Sequence, residues 1–356
     1  MTKMSSAIVS TYALGQATLS SMARSQTELA QLTTESSSGQ YADLGLQLGE
    51  QSGYELSLRN QTNLLQSLTT ANSLTVTDLE TAQSSIDDIR TTANSTLSTL
   101  TSLTAGGSNA ANTLANTGTN ALQSLIAGMN TSSNGQYVFG GINSGVAPIA
   151  DYFSTSTSAA KSAIDAAFTS TFGFSPTSSS ASTISASDMT NFINGTFSSL
   201  FSGSSWTTDW SSASDTNVTT EIAPGESATT STNANQAGFQ QLAEAYAMLS
   251  EFGGSSLSTA TQQAVITSAS SLISQGVTSL TATESTLGTA QTSVTDASTT
   301  MSNQLTILQT QIGNLDNVDS STVATQINSL QTQLETAYEL TAQLQKLSLA
   351  QYLPTS

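Results

Sequence analysis

The chain has 356 residues, no cysteine, no histidine, and 24 acidic against six basic residues, giving a formal charge of -18. Without cysteine and histidine it has no disulfides, no thiolate nucleophile, no Cys- or His-ligated metal centre and none of the commonest general acid–base group. Only 8% of residues are charged, and no Lys or Arg lies between Lys161 and Lys346, so no basic patch exists for nucleic acid or for an anionic membrane surface.

Residues 1–36 read as one long helix, with Ala7, Leu14, Ala17, Ser21, Leu29 and Leu32 near a heptad seam. Glycines 39, 45, 49 and 53 then predict a loop. A second helix is expected from about Tyr54 to Leu103, with a seam at Leu68, Ala71, Leu79, Ala82, Ile86, Ile89, Ala93, Leu97 and Leu100. A shorter one is expected from Asn109 to Asn130.

The β-branched and aromatic run Gly135-Gln-Tyr-Val-Phe-Gly-Gly141 predicts a strand around Tyr137–Phe139. From Asn143 to Asn233 the chain reads as irregular and aromatic-rich, with short helices near 158–171 and 187–201. A hairpin is expected to turn at Pro224-Gly225.

Helix resumes over Gln236–Phe252 and again from Ser258. Leu280, Leu287, Val294, Met301, Leu308 and Leu315 then recur every seventh residue, with Leu305 and Ile312 in the alternate slot. After an interruption at Asp316–Ser321, where Asp319 is placed to cap the next helix, the seam continues through Val323, Ile327, Leu330, Leu334, Ala337 and Leu344. A seam of this length needs a partner, and the N-terminal helices supply one. The expected fold is mainly α with a smaller mixed α/β insert, its long antiparallel coiled-coil helices coming from both chain ends.

Several stretches of this sequence resemble the bacterial flagellin family. They are Thr34-Glu-Ser-Ser-Ser-Gly39, Asn134-Gly-Gln-Tyr-Val-Phe-Gly-Gly-Ile-Asn143 and Leu347-Ser-Leu-Ala-Gln-Tyr-Leu353, and the likeness covers about 1–142 and 236–353. The motif residues Gly135, Tyr137, Phe139, Gly140 and Gly141 are especially similar to those of hook–filament junction proteins. The basic, Asp-rich sequence that filament flagellins carry after the first helix is replaced here by Tyr41-Ala-Asp-Leu-Gly-Leu.

The resemblance implies a structural subunit of the flagellum, first the hook–filament junction protein and second filament flagellin. It implies an N-terminal assembly helix (1–35), N-terminal rod helices (36–142), a variable outer domain (143–235), C-terminal rod helices (236–320) and a C-terminal assembly helix (321–356). The end segments would be disordered in the monomer and fold on polymerisation. Implied partners are further copies, hook-associated proteins and flagellin, an export chaperone and the flagellar type III apparatus, with export to the exterior without a cleaved signal peptide. No nucleic acid, membrane insertion, cofactor, metal or catalytic residue is expected. Leu14, Leu29, Leu32, Leu308, Ile312, Leu330, Leu334, Leu344 and Leu347 are the residues assigned to the assembly interface.

Other motifs weigh little beside these. Ser158-Ala-Ala-Lys161 matches a Ser/Lys hydrolase pattern, but its companion motifs are missing. Asp87 and Asp88 point about 100° apart on a helix. Asp316–Asp319 lacks the glycine and terminal glutamate of a calcium loop. The glycine pairs at 106–107, 140–141 and 253–254 lack the following Lys-Ser/Thr of a phosphate loop. Trp206 and Trp210, with Phe197 and Phe201, fit the core of a small domain better than a glycan pocket.

Overall fold

The computed structural model describes residues 11–103, 108–154, 158–254 and 256–352. The chain divides into two compact units, one formed by 1–64 with 303–356 and the other by 65–302.

In the first unit, α1 (Thr11–Ser38) pairs with α10 (Ser320–Tyr352). The side-chain contacts run antiparallel: the Gln26 amide donates to the Tyr338 hydroxyl at 2.6 Å, and the Thr341 hydroxyl to the Met22 sulfur at 3.7 Å. At the far end Gln40 bridges Asn317, with Tyr41 N donating to Asp316 O and Val318 N to Gly39 O, each at 3.0 Å. The segment expected to be loop holds a short helix, α2 (Leu44–Leu48), and a 3-10 turn (Gly49–Gln51). Gly49 (φ 53) ends α2 and opens the 3-10 turn, and Asp43 caps α2 through Leu46 N at 2.9 Å. The lower turns of α3 (Ser52–Ser102) and the last turns of α9 (Thr259–Asp316) complete this unit.

The second unit is built on α3, α4 (Ser108–Met129), α8 (Ala237–Phe252) and α9. Along α3, Leu65, Asn72, Leu79, Ile86, Ala93 and Leu100 are buried at every seventh position. The expected seam residue Ala71 is exposed, and the slot belongs to its polar neighbour. Asn72, fully buried, donates to the Ile222 carbonyl at 2.8 Å and to Ser298 Oγ at 3.1 Å. It thereby fixes the register of α3 against α9 and holds a hairpin strand to the helix. Gln83 donates to Gln291 at 2.9 Å and Arg90 to Glu284 at 2.5 Å, extending the same antiparallel ladder. Asn72→Ala should cost about 1–2 kcal/mol, because a buried carbonyl loses its donor; urea unfolding followed by tryptophan fluorescence measures it.

Helix α8 lies at the centre. Residues 242–249 are buried without interruption, as in a helix covered on all sides. Glycines let its neighbours approach: Gly238 of α8 and Gly276 of α9 face each other's backbone, and Gly118 of α4 lies against Leu249 and Ser250. The insert adds α5 (Ala159–Phe172), α6 (Ala186–Phe192), π-helical turns at Ile193–Phe197 and Trp206–Trp210, a single turn α7 (Gly203–Ser205), and two hairpins. The first hairpin is β1 (Ser132–Ser133) with β2 (Gln136–Tyr137), and the second is β3 (Thr219–Ala223) with β4 (Glu226–Thr229). The aromatic residues of the insert form no separate core. Phe168, Phe192 and Phe197 pack on Phe252 of α8, and Tyr152, Trp210 and Trp206 stack in a column, all within one cluster shared with the long helices.

Candidate assembly surface

Leu32, Val323 and Leu330 form a buried cluster joined by Leu29, Val318 and Ile327, with Met22 and Leu334 also buried. The facing residues of α1 are Thr18, Met22, Ser25, Leu29 and Leu32, in alternating four- and three-residue steps. The expected seam is therefore displaced by one residue at its start. Leu14 is 44% exposed, and Ala17 and Ser21 point outward. Met22 outranks Ser21 because it carries more apolar surface into the groove.

Leu308 is buried and Ile312 half-buried near the end of α9. Ala7, Leu344 and Leu347 lie outside the residues whose side chains are described. Asp316, wholly buried, accepts from Arg59, which also donates to Glu55. The Glu55 hydrogen bond is the main cause that raises the Arg59 pKa further, so the guanidinium stays charged to compensate a carboxylate at the unfavourable C-terminal end of a helix. Asp319 stands instead at the favourable N-terminal end of α10, where its carboxylate accepts from Ser321 N at 2.9 Å and caps the helix; this hydrogen bond lowers its pKa.

Apolar exposure is concentrated in this unit. Among the described residues, nine large apolar side chains stand in solvent there: Leu14, Leu19, Leu46, Tyr54, Leu56, Leu64, Ile307, Tyr338 and Leu340. Those of the larger second unit include four: Leu74, Ile142, Val146 and Val218. Leu46 is 82% exposed on a helix of five residues.

The glycine motif is a separate device. Asn134 (φ 52) and Gly135 (φ 80) are both left-handed, the geometry of a tight two-residue hairpin turn, so β1 and β2 are shorter than the expected strand and end at Tyr137. Val138 N donates back to Thr131 O and Tyr137 N to Ser144 O. Phe139, fully buried, meets Phe239 edge-on at 5.2 Å, and its carbonyl accepts from Ala234 N. Gly141 has φ 60, and a Cβ there would lie 2.6 Å from the carbonyl oxygens of Ser214 and Thr216. Ser214 N donates to Gly140 O and Ile142 N to Thr216 O. Gly140 and Gly141 are thus a seat for residues 214–216, and Phe139 ties that seat to the start of α8.

Two family models match the chain, the bacterial flagellin N-terminal helical region over residues 9–144 and the bacterial flagellin C-terminal helical region over residues 270–353. The chain belongs to the bacterial flagellin family. It is a structural, non-enzymatic subunit of the extracellular bacterial flagellum that assembles with itself and other flagellar proteins. No curated protein and no solved structure matches it. The N-terminal match of this flagellin ends just beyond Gly141, where the chain enters the insert.

The remaining motifs have structural explanations consistent with a flagellin. Ser158 Oγ accepts from Lys161 N as the cap of α5, while Lys161 Nζ donates to Glu251 at 2.7 Å. Tyr152 donates to the other oxygen of Glu251 at 2.9 Å, and burial raises its pKa. Trp206 and Trp210 are buried, with Trp206 Nε1 donating to Asn235 at 2.9 Å. Sequence reasoning missed Asn72, Met22 and Glu244; the first two occupy seam positions, a signal that heptad counting from Leu65 and Leu32 would have found.

Proposed function

We propose that this flagellin-family chain is the hook–filament junction subunit. The observation that carries the reading is the motif Gly135-x-Tyr137-x-Phe139-Gly140-Gly141 at the entrance to the insert, similar to that of junction proteins. Its role as the seat for residues 214–216 gives those glycines a purpose in the same terms. The division into end segments 1–35 and 321–356, helices 36–142 and 236–320, and an insert 143–235 belongs to the same reading.

Assembly would proceed through the first unit. Leu29, Leu32, Leu330 and Leu334 hold α1 to α10, while Leu14, Leu46, Leu56 and Ile307 remain for neighbouring subunits. Leu308 and Ile312 secure the last turns of α9 beneath that surface, and Leu344 and Leu347 extend the seam of α10. Burial at about 25 cal/mol per Å² of apolar surface, repeated in every subunit, supplies the driving force. Export through the flagellar type III apparatus with a chaperone completes the proposal.

Antibody labelling of intact flagella tests the junction role. The expected result is one narrow band at the hook end. Labelling along the whole filament would instead make the chain a filament flagellin.

A further inference from the structure

A cleft of about 510 Å³ opens beside the C-terminal end of α5 and the outer side of α6. Two half-buried rings, Phe172 and Phe174, line it with centroids 6.4 Å apart and planes inclined by 30°. Most rings of the insert are buried, but these two, which line the cleft, are only half-buried. They are held from behind: Phe172 packs on Phe168 at 4.7 Å and on Phe192 at 5.3 Å, and Phe174 on Phe168 at 6.3 Å.

Around the rings stand Thr183, Asp188, Asn191 and Thr196. Asp188 uses one oxygen to accept from Ser185 Oγ at 2.7 Å, the cap that fixes its position at the start of α6. Asn191 and Thr196 are exposed, and their side chains have no hydrogen-bond partner among the described residues. Asp188 is the only charged group among the described residues lining the cleft.

These features select a ligand class. A pair of half-buried aromatic rings takes an apolar face, and the amide, hydroxyls and carboxylate at the rim supply both donors and acceptors. Asp188, in a chain of charge -18, disfavours anions. A compact cation only donates and would leave the donors of Asn191 and Thr196 unused. A pyranose ring has an apolar C–H face and an edge of hydroxyls that both donate and accept. We propose that this cleft binds a neutral saccharide. The proposal is independent of whether the chain sits at the junction or along the filament.

The test is a printed array of neutral and sialylated oligosaccharides, probed with the fluorescently labelled full chain and its Phe174→Ala and Asn191→Ala variants. Retention is expected on neutral glycans and not on sialylated ones, with each variant reducing apparent affinity roughly tenfold, the scale of one lost aromatic or hydrogen-bonding contact. Asn191 is exposed and its side chain makes no hydrogen bond among the described residues, so its variant keeps the fold and isolates recognition from stability. Absence of retention on neutral glycans, preference for sialylated ones, or an Asn191→Ala variant that binds as the parent does would overturn the assignment.

Discussion

Gly118→Leu is expected to destabilise the second unit by about 3 kcal/mol or more, at or beyond the upper end for an overpacked core. Even a Cβ at Gly118 would stand 2.4 Å from Ser250 N and 2.7 Å from Leu249 C, and these are backbone atoms of α8 that no rotamer change can move aside. Helices α4 and α8 would have to separate, breaking the Thr119–Ser250 hydroxyl contact of 2.9 Å. Gly288 in α9 supplies the contrast, since nothing lies within 4 Å of a Cβ there. Gly288→Ala should stabilise by about 0.5–1 kcal/mol through helix propensity alone. Urea unfolding monitored by Trp206 and Trp210 fluorescence measures both, and equal effects at the two positions would contradict the packing described.

Glu244→Gln should change how stability depends on pH. Glu244 is 6% exposed within the continuously buried stretch of α8 and hydrogen-bonded to Ser198. Burial pushes its pKa up from 4.5 to about 7, outweighing the opposing Ser198 bond. The folded state therefore holds a proton that the unfolded state has lost between these values. Stability falls as pH rises through this window, and above about 7 the whole contribution is gone. The shift corresponds to roughly 3 kcal/mol. Glutamine keeps a polar group for Ser198 without a charge to bury, so the variant should match the parent near pH 4 and exceed it by up to about 3 kcal/mol near pH 8. A parent–variant difference that stays constant from pH 4 to 8 would show that Glu244 titrates in the folded state as it does in the unfolded chain.

The long elements were legible because their apolar period was strong. Leu280, Leu287, Val294 and Met301 occupy the seam of α9 as their spacing predicts. Where polar residues share the seam, the signal weakened. Thr18 and Ser25 in α1 hid the true phase, and Asn72 in α3 looked like a surface residue. Helix α8 showed a stripe at Phe239, Leu242, Ala245, Tyr246 and Leu249, but Ala243, Glu244, Ala247 and Met248 are buried too. Covering that second face depends on how α8 packs among α4, α9 and the insert, which no local pattern encodes. The motif was visible as a string, yet its purpose was not, since the residues Gly141 faces lie some seventy positions downstream, at Ser214 and Thr216.

In the proposed assembly, α1 and α10 form the paired unit through which the chain enters the flagellum. Leu32→Asp places a charge in the cluster of Leu32, Val323 and Leu330 while leaving the second unit untouched. The direct measurement is incorporation of the variant into flagella of a strain lacking the parent chain, with tryptophan fluorescence reporting the second unit. No incorporation with native fluorescence is expected; incorporation at the parental level would rule out assembly through this helix pair.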